Sequence, residues 1–253
     1  MSAPIETMVS GTINGRTVAV AKDTPLLQAA RDNGVGIPTL CHHPALPPDG
    51  NCRLCLVEVG GKLAASCLYP LREDGFSVVT ESGKIAGARA FVVKLLLSRA
   101  PEDECLLRLA ALYQTAPDPR LAGDEDGCLR CGRCVRACHA AGSDAVALVG
   151  RGRSRKVAGA FLEPPADCAG CLACARVCPT GAVKFRETKN SRSIWGKEFS
   201  LAPCPVCGRT VGTPEELARA GLDPGGALCP ECRRRAMAGA LLALPENAAP
   251  KRG

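Results

Sequence analysis

Two cysteine runs with identical spacing constrain the fold of this 253-residue chain more than any other feature. Both have the form Cys-x2-Cys-x2-Cys-x3-Cys, and the second ends directly before Pro179. Two residues between thiolates let a short loop wrap three corners of a 4Fe-4S cubane, while the fourth cysteine of each run reaches the other cluster. The spacing therefore predicts two 4Fe-4S clusters, one on Cys128, Cys131, Cys134 and Cys178 and one on Cys168, Cys171, Cys174 and Cys138.

Two structural zinc ions are the alternative for these runs. Zinc sites are built from two Cys-x2-Cys pairs and have no use for a doubled three-plus-one pattern, so we favour clusters. His139 follows Cys138 where proline is usual, and this change removes no ligand.

A further cysteine set lies near the end of the chain. It consists of Cys-Pro-Val-Cys-Gly and Cys-Pro-Glu-Cys-Arg, with 21 residues between the two inner cysteines. Two such knuckles facing each other form a tetrahedral four-sulfur site, where zinc replaces a core too small to fold alone. We expect one zinc ion here, with another iron-sulfur cluster as the alternative; the ligands are Cys204, Cys207, Cys229 and Cys232.

Composition favours small metal-bound modules over one large core. Aromatic residues make up 3% of the chain, and Trp195 is its only tryptophan. The 17 cysteines could instead form disulfides, but residues 1–10 lack the basic start and apolar run of a secretion signal, so we expect a cytoplasmic protein. The most apolar stretch, residues 90–97, contains Lys94 and is shorter than the roughly 20 residues of a membrane span, so no span is expected.

The formal charge of +7 does not by itself indicate a nucleic-acid partner. A four-thiolate centre, whether an oxidised cluster or a zinc ion, carries about −2, so four of them contribute about −8 and bring the protein near neutrality. We interpret the basic balance as compensation for buried anionic centres and expect no nucleic-acid binding.

Local patterns predict a β-hairpin and then a helix at the start of the chain. Strands at residues 8–13 and 17–20 flank Asn14-Gly15, a type I′ turn signal. Thr24 is the expected N-cap of the helix, Pro25 is expected at its first helical position, and Gly34 ends it.

The remaining cysteine set has ten, two and eleven residues between its members Cys41, Cys52, Cys55 and Cys67. This spacing suits a 2Fe-2S cluster on a long loop of a small β-sheet domain, although zinc could also use it. The segments Thr39-Leu40-Cys41-His42-His43-Pro44 and Gly50-Asn51-Cys52-Arg53-Leu54-Cys55-Leu56-Val57-Glu58-Val59 closely resemble a known family. That family comprises the iron-sulfur subunit of the NADH-oxidising module of respiratory complex I, of NAD-reducing nickel-iron hydrogenases, and the N-terminal domains of multimeric iron-only hydrogenases.

The resemblance covers roughly residues 8 to 185. It implies a 2Fe-2S cluster on Cys41, Cys52, Cys55 and Cys67, and it places the paired 4Fe-4S clusters on the eight cysteines already assigned. It also implies a hetero-oligomeric complex with two partners: a flavin- and NAD(P)-binding subunit, and a terminal catalytic subunit such as a hydrogenase, formate dehydrogenase or reductase.

One departure from the family lies between these domains, where a motif Leu-Leu-Leu-x-x-His-Pro-x-x-Cys-x2-Cys-x5-Cys usually binds another 4Fe-4S cluster. Leu95, Leu96, Leu97 and Pro101 keep that frame, but the ligand positions hold Ala100, Glu104, Leu107 and Tyr113. We expect no cluster there and two helices, separated near Pro101, that remain as a scaffold between residues 81 and 121. Cys105 is one residue out of register and is expected to be a buried free thiol.

Together the patterns predict an α+β multidomain chain. Its parts are a 2Fe-2S ferredoxin-like (β-grasp) domain at 1–80, a helical connector at 81–122, a bacterial-type 2×4Fe-4S ferredoxin domain at 123–190, and a zinc-ribbon-like module with a tail at 191–253. Residues 189–193 are predicted to form a polar linker at the boundary between the last two parts. We expect a non-catalytic electron-transfer subunit of an NAD(P)H-linked oxidoreductase complex, bifurcating or not. A free-standing multi-cluster ferredoxin and a cluster-based redox regulator are the alternatives.

Metal analysis of the anaerobically purified chain checks this assignment. One binuclear cluster, two tetranuclear clusters and one zinc ion amount to about ten iron atoms and one zinc per chain, measured by mass spectrometry together with acid-labile sulfide. About fourteen iron atoms without zinc would contradict the zinc assignment.

Overall fold

The computed structural model describes residues 7–121 and 126–242. The fold is mixed α and β, and the chain forms two compact units. The first unit comprises residues 1–141, 146–158 and 173–183, and the second comprises 142–145, 159–172 and 184–253, within the described limits. Among the described residues, no helix has the length and apolar character that a membrane span requires.

The first unit begins with an antiparallel hairpin of β1 (Met8–Ile13) and β2 (Arg16–Ala21). Asn14 and Gly15 have φ angles of 51° and 78°, as a type I′ turn requires, so the predicted hairpin is confirmed. Three later strands complete a five-stranded sheet in the order β2-β1-β5-β3-β4, in which β1 and β5 are parallel. These strands are β3 (Leu56–Val59), β4 (Lys62–Ala65) and β5 (Phe76–Val79).

Helix α1 (Leu26–Asp32) packs its buried leucines and alanines against this sheet. The predicted N-cap is wrong by one residue: Pro25 occupies that position, because the Thr24 hydroxyl instead donates to the Ala21 carbonyl at 2.6 Å. The predicted end is confirmed. Gly34 has a φ of 74°, and the Val35 amide closes the last turn on the Ala30 carbonyl at 2.8 Å.

Two helices follow the sheet, α2 (Gly83–Leu97) and α3 (Glu104–Leu112). Ser82 and Asp103 cap them, since their side chains accept hydrogen bonds from the amides of Ile85 and Leu106. The predicted helix pair is confirmed, but α3 ends at Leu112, well before residue 121. Helix α2 packs against both α3 and β3.

Arg89 of α2 is fully buried and joins these helices to the sheet. Its guanidinium donates to the carbonyls of Leu56 and Thr80 at 2.7 and 3.1 Å, and to the hydroxyl of Tyr113 at 3.1 Å. Glu81 supplies the counter-charge from a half-exposed position. The central position of this arginine makes it a hydrogen-bonding hub for the end of β5, the start of β3 and the end of α3.

The rest of the first unit carries the whole of the first long cysteine run and the last two cysteines of the second run. It comprises helices α4 (Arg133–Ala140) and α5 (Ala173–Arg176), which pack together, and an antiparallel hairpin of β6 (Ala147–Val149) and β7 (Lys156–Ala158).

The second unit contains a three-stranded antiparallel sheet and a small two-stranded ribbon. The sheet consists of β8 (Phe185–Glu187), β9 (Ser191–Ile194) and β10 (Lys197–Ser200); the ribbon consists of β11 (Ala202–Pro203) and β12 (Thr210–Gly212). Helices α6 (Pro214–Arg219) and α7 (Pro230–Leu242) follow. Ala202, Leu217 and Ala227 form one apolar group in its interior, and Ile194 and Phe199 are also buried.

The predicted polar linker at residues 189–193 is wrong, because residues 191–193 belong to β9. Arg192 is buried in that strand through ion pairs with Glu187 and Glu216. Trp195 and Gly196 make the tight turn to β10, with φ angles of 54° and 76°. A polar sequence can thus form a buried strand when its charges are paired.

Replacing Arg89 with methionine tests the hub. Arg89→Met leaves two buried carbonyls without donors, so we expect it to lower the free energy of unfolding by about 2–5 kcal/mol, against about 1 kcal/mol for Tyr113→Phe. Urea unfolding of the cluster-loaded chain measures both.

The matched control is Arg72→Met, which breaks the exposed ion pair with Asp23 and costs about 0–1 kcal/mol. If Arg89→Met costs no more than this control, the hub is not a stabilising element.

Candidate cluster and metal sites

The structure brings the four cysteines of the first domain together in two pairs. All four are buried, in the loops that follow α1 and β4 and precede β3. The sulfur atoms of Cys55 and Cys67 lie 3.4 Å apart. The amides of Cys41 and Cys52 each donate to the other residue's sulfur at 3.4 Å. Two close sulfur pairs are what a binuclear centre needs, because each iron takes two thiolates.

Hydrogen bonding within each pair divides the thiols into two kinds. Hydrogen bonding with Cys41 lowers the pKa of Cys52 to about 5, and hydrogen bonding with Cys67 lowers the pKa of Cys55 to about 6. The pKa values of Cys41 and Cys67 are raised by the same hydrogen bonds and by burial. Ligation requires all four as thiolates, so cluster assembly must release protons from this site.

The first predicted 4Fe-4S set lies within the first unit. Cys131 and Cys134 flank the start of α4, where Gly132 has a φ of 72° and serves as the N-cap. The segment after Cys178 returns to the start of the run, since the Thr180 hydroxyl donates to the Gly127 carbonyl at 2.7 Å.

The electrostatics of this set agree with close approach of its members. Burial raises the pKa of Cys131, and it raises that of Cys134 to about 12. The charges of Cys128 and Cys178 raise both values further. These buried thiols lie close enough to raise one another's pKa. Positive iron ions bound among them would offset the charge of the thiolates.

The second predicted 4Fe-4S set is divided between the units. Cys138 on α4 and Cys174 on α5 belong to the first unit, where the two helices pack together. Cys168 and Cys171 belong to the second unit. The four-residue assignment therefore stays a prediction.

In the second unit, three side chains hold the loop of Cys168 and Cys171. Arg192 donates to the Gly170 carbonyl at 2.7 Å, and Lys197 donates to the Cys168 carbonyl at 3.3 Å. The hydroxyl of Thr213, fully buried at the N-cap of α6, donates to the Ala169 carbonyl. No sequence pattern identifies these residues, because contacts over 20 to 45 positions leave no periodic signal. The alternation of Arg192 with Ser191 and Ser193 is the one local sign of a strand.

A shared core joins the 2Fe-2S loop to the first 4Fe-4S run. Cys41, Cys52 and Cys131 pack in one buried apolar group with residues of α2 and α3. From α4, Arg136 donates to the carbonyls of Cys41 (at 2.6 Å) and Pro47, and Arg133 donates to the His42 carbonyl at 2.5 Å. The two candidate cluster sites are therefore neighbouring parts of one packed region.

His42 lies within this contact. Its pKa is lowered by burial and by the positive charges of Arg31, Arg133 and Arg136. The two α4 guanidinium groups place positive charge beside the Cys41 loop.

The four connector positions at which the resemblance would place ligands differ in their surroundings. Ala100 is buried in the shared core, and the hydroxyl of Tyr113 bonds Arg89, whereas Glu104 and Leu107 are exposed. The expectation that Cys105 is buried is wrong: Cys105 is exposed in the first turn of α3. The reason is the helical period, since α3 buries Leu106 and Ala110 and so turns position 105 outward.

The C-terminal cysteines converge on one point in the second unit. The sulfur atoms of Cys204, Cys207, Cys229 and Cys232 all lie within 4.8 Å of one another. A tetrahedral ion with bonds of about 2.3 Å separates its sulfurs by about 3.8 Å, whereas a cubane interposes four irons and spreads them farther apart. Cys207 and Cys229 are 3.6 Å apart, so the arrangement fits a single ion.

Hydrogen bonds already favour the thiolate at part of this set. The pKa of Cys204 is lowered to about 6, first by the Cys229 amide, while that of Cys232 is raised to about 12, first by hydrogen bonding with Cys207. Cys204, Cys229 and Cys232 are buried and Cys207 is exposed.

Paired thiolates on a small sheet domain, followed by two spaced cysteine runs, define an iron-sulfur protein. Comparison with known families agrees. Residues 6–83 match the model of a 2Fe-2S iron-sulfur cluster binding domain, and residues 122–185 match that of a 4Fe-4S dicluster domain.

Relatives identify the family more closely. The alpha subunit of the NADPH-Fe(3+) oxidoreductase of Geobacter sulfurreducens is 31% identical over 227 residues, which cover 79% of this chain and 27% of that subunit. The HndD subunit of the NADP-reducing hydrogenase of Solidesulfovibrio fructosivorans is 35% identical over 214 residues, 71% of this chain and 36% of that subunit. The mitochondrial 78 kDa subunit of the NADH-ubiquinone oxidoreductase of Candida albicans is 31% identical over 204 residues, 69% of this chain and 28% of that subunit. The chain thus spans 27–36% of the length of these curated relatives.

A solved structure shows the same relationship. A chain of the NAD+-reducing NiFe hydrogenase in the H2-reduced state aligns with a TM-score of 0.58 and 27% identity, over 68% of this chain and 85% of that chain. The chain carries a 2Fe-2S domain and a 4Fe-4S dicluster domain and is similar to this hydrogenase chain and to the 78 kDa subunit of NADH-ubiquinone oxidoreductase, so the resemblance expected from its cysteine loops is confirmed.

The C-terminal site can be tested by removing one buried ligand. In Cys204→Ser a poor ligand replaces a thiolate, so we expect zinc to fall from about one atom per chain to nearly none. Cys105→Ser, which changes an exposed cysteine outside every set, should keep the wild-type zinc content. Zinc retained in full by the Cys204→Ser chain would exclude this site.

Proposed function

We propose that this chain relays single electrons within an NAD(P)H-linked oxidoreductase complex, between a flavin- and NAD(P)-binding subunit and a terminal catalytic subunit. The observation that carries the proposal is the shared core, in which the 2Fe-2S loop packs on the helix of the first 4Fe-4S run. Direct packing fixes the distance between the two redox sites, as a relay requires. A protein with independent clusters needs no such contact.

The ligand sets follow from the pairs and runs described above. Cys41 with Cys52 would hold one iron of a 2Fe-2S cluster, and Cys55 with Cys67 the other, each pair supplying two thiolates to a tetrahedral ion. Two 4Fe-4S clusters would be bound by Cys128, Cys131, Cys134 and Cys178 and by Cys168, Cys171, Cys174 and Cys138. When bound, these clusters supply the one-electron chemistry.

The chain's own residues set the environment of that chemistry. Buried sulfurs and the shared apolar core exclude water, and guanidinium groups on α4 place positive charge beside an anionic site. Positive charge and amide donors near thiolates stabilise the reduced, more negative state. No acid-base group is needed for electron transfer, which fits an electron-transfer subunit that is not itself catalytic.

We assign zinc to the C-terminal four-cysteine site, because its sulfurs are too close for a cubane. The knuckle, ribbon and helix arrangement around it supports a zinc-ribbon-like module, and the mixed sheet with α1 across it supports a β-grasp first domain. The predicted domain limits (1–80, 81–122, 123–190 and 191–253) and a cytoplasmic location complete the proposal.

Partners are assigned by analogy with named relatives. An NADPH-Fe(3+) oxidoreductase, an NADP-reducing hydrogenase and an NADH-ubiquinone oxidoreductase all contain subunits similar to this chain. A free-standing ferredoxin would meet the same cluster requirements, but the relatives' names are those of subunits, which favours a complex.

Affinity purification of the tagged chain from its native host tests the proposal. We expect a flavoprotein in stoichiometric amount and reduction of a viologen dye by NADH or NADPH. In the matched variant Cys52→Ser, which removes a 2Fe-2S ligand, we expect that activity to fall by at least about tenfold while the 4Fe-4S signals in electron paramagnetic resonance remain.

Two results would contradict the relay. One is a chain that purifies alone and fully loaded with clusters. The other is specific DNA binding with a steep salt dependence, which would support the redox regulator.

A further inference from the structure

The tip of the β6–β7 hairpin concentrates positive charge that the cluster sites do not use. Four cations occur within six residues, namely Arg151, Arg153, Arg155 and Lys156. No acidic residue occurs between positions 145 and 162. Arg151, Arg153 and Lys156 are exposed and Arg155 is half-buried. Arg151, Arg155 and Lys156 form no ion pair with any residue that the structure describes.

This tip is a preformed turn. The amide and hydroxyl of Ser154 both donate to the Arg151 carbonyl, at 3.1 and 2.8 Å. Gly150 has a φ of 78°, and a Cβ there would lie 2.8 Å from the Ser154 carbonyl oxygen, so only glycine fits. The backbone that carries the cations is thus fixed before any partner arrives, which lowers the entropic cost of binding.

One buried side chain connects the tip to the first 4Fe-4S run. Arg130 donates through Nε to the Arg155 carbonyl at 2.5 Å and through Nη1 to the Cys128 carbonyl at 2.9 Å. Asp126 neutralises Arg130 with a 2.7 Å ion pair. The charge of the tip itself is left to face outward, within one side chain of a predicted cluster ligand.

We propose that the β6–β7 hairpin is a docking site for an acidic electron-carrier protein that exchanges electrons with the cluster on Cys128, Cys131, Cys134 and Cys178; this rests on the proposed relay function. Arg151, Arg155 and Lys156 are like charges that repel one another on a short turn, and an acidic surface relieves that repulsion on contact. Charge complementarity of this kind speeds encounter and orients partners. A single hairpin matches the small interfaces of transient redox complexes.

Nucleic acid fits this surface less well than an acidic protein does. Single-strand binding surfaces combine cations with aromatic side chains on which bases stack, and residues 145–160 contain no aromatic residue. The hairpin also offers too few cations to follow a duplex backbone over several phosphates.

The test compares two charge-reversal variants of the cluster-loaded full chain. Arg151→Glu/Lys156→Glu changes the exposed ends of the tip. Arg16→Glu/Lys62→Glu, on the sheet of the first domain, makes the same change in net charge at two other exposed positions. The probe is an acidic plant-type 2Fe-2S ferredoxin, with basic cytochrome c as the opposite-charge probe and duplex DNA of about 20 base pairs as the competing ligand class.

The primary readout is equilibrium binding by calorimetry over about 20 to 300 mM salt. We expect the tip variant to weaken ferredoxin binding by at least about tenfold at low salt and to flatten its salt dependence, while the control variant changes it by less than about threefold. Equal weakening in both variants, or none in either, would overturn the docking site. Tip-dependent binding that is tighter to DNA or to cytochrome c than to ferredoxin would also overturn it.

A redox titration separates docking from simple charge compensation. If the tip variant binds ferredoxin as the wild type does, and only the potential of the 4Fe-4S signals shifts, the tip serves the cluster and the docking inference fails. Reduction by methyl viologen that dithionite has first reduced isolates the relay itself. Clusters that accept no electrons from this small donor refute the proposed function, whereas clusters that accept them normally in a chain without ferredoxin binding refute the docking site alone.

Discussion

The contact between α4 and the loop after Cys41 is the interaction on which the rest of the first unit depends. Arg133 and Arg136 hold three carbonyls of that loop, and Cys41, Cys52 and Cys131 share one buried core with α2 and α3. This apolar core is small, because the chain has few aromatic residues to fill it. Metal coordination by the cysteines would add to its stability, because ligand binding is converted into folding free energy.

Buried arginines recur wherever an irregular loop must be held. Arg89 holds carbonyls at the end of β5 and the start of β3, Arg130 holds the start of the first run, and Arg192 holds the loop of Cys168 and Cys171 in the second unit. Cysteine loops wrap metal rather than forming ladders, so their carbonyls lack backbone partners. A guanidinium offers five donors in a rigid fork and a positive charge, which suits both an unpaired carbonyl and a nearby anionic centre.

The connector is a helix pair held by caps, apolar contacts and one buried arginine. Ala100 fills the shared core, and Tyr113 receives a hydrogen bond from Arg89. Two capped helices with a common apolar face can pack without metal, since Ser82 and Asp103 satisfy their first amides and Leu106 and Ala110 supply the contact.

Local chemistry determined the elements that sequence alone could predict: the Asn14-Gly15 hairpin, the end of α1 at Gly34, the helix pair around Pro101, and the three kinds of cysteine spacing. Each depends on only a few neighbouring residues, because turns, caps and chelate loops form through short-range contacts. The Thr24 cap, the strand at Arg192 and the exposure of Cys105 were decided by contacts distant in sequence or by which helix face packs inward. The tertiary structure alone set the pairing of Cys41 with Cys52 and of Cys55 with Cys67, the narrow spacing of the C-terminal sulfurs, and the arginine contacts that join two cluster loops. These depend on long-range packing, which spacing along a chain does not encode.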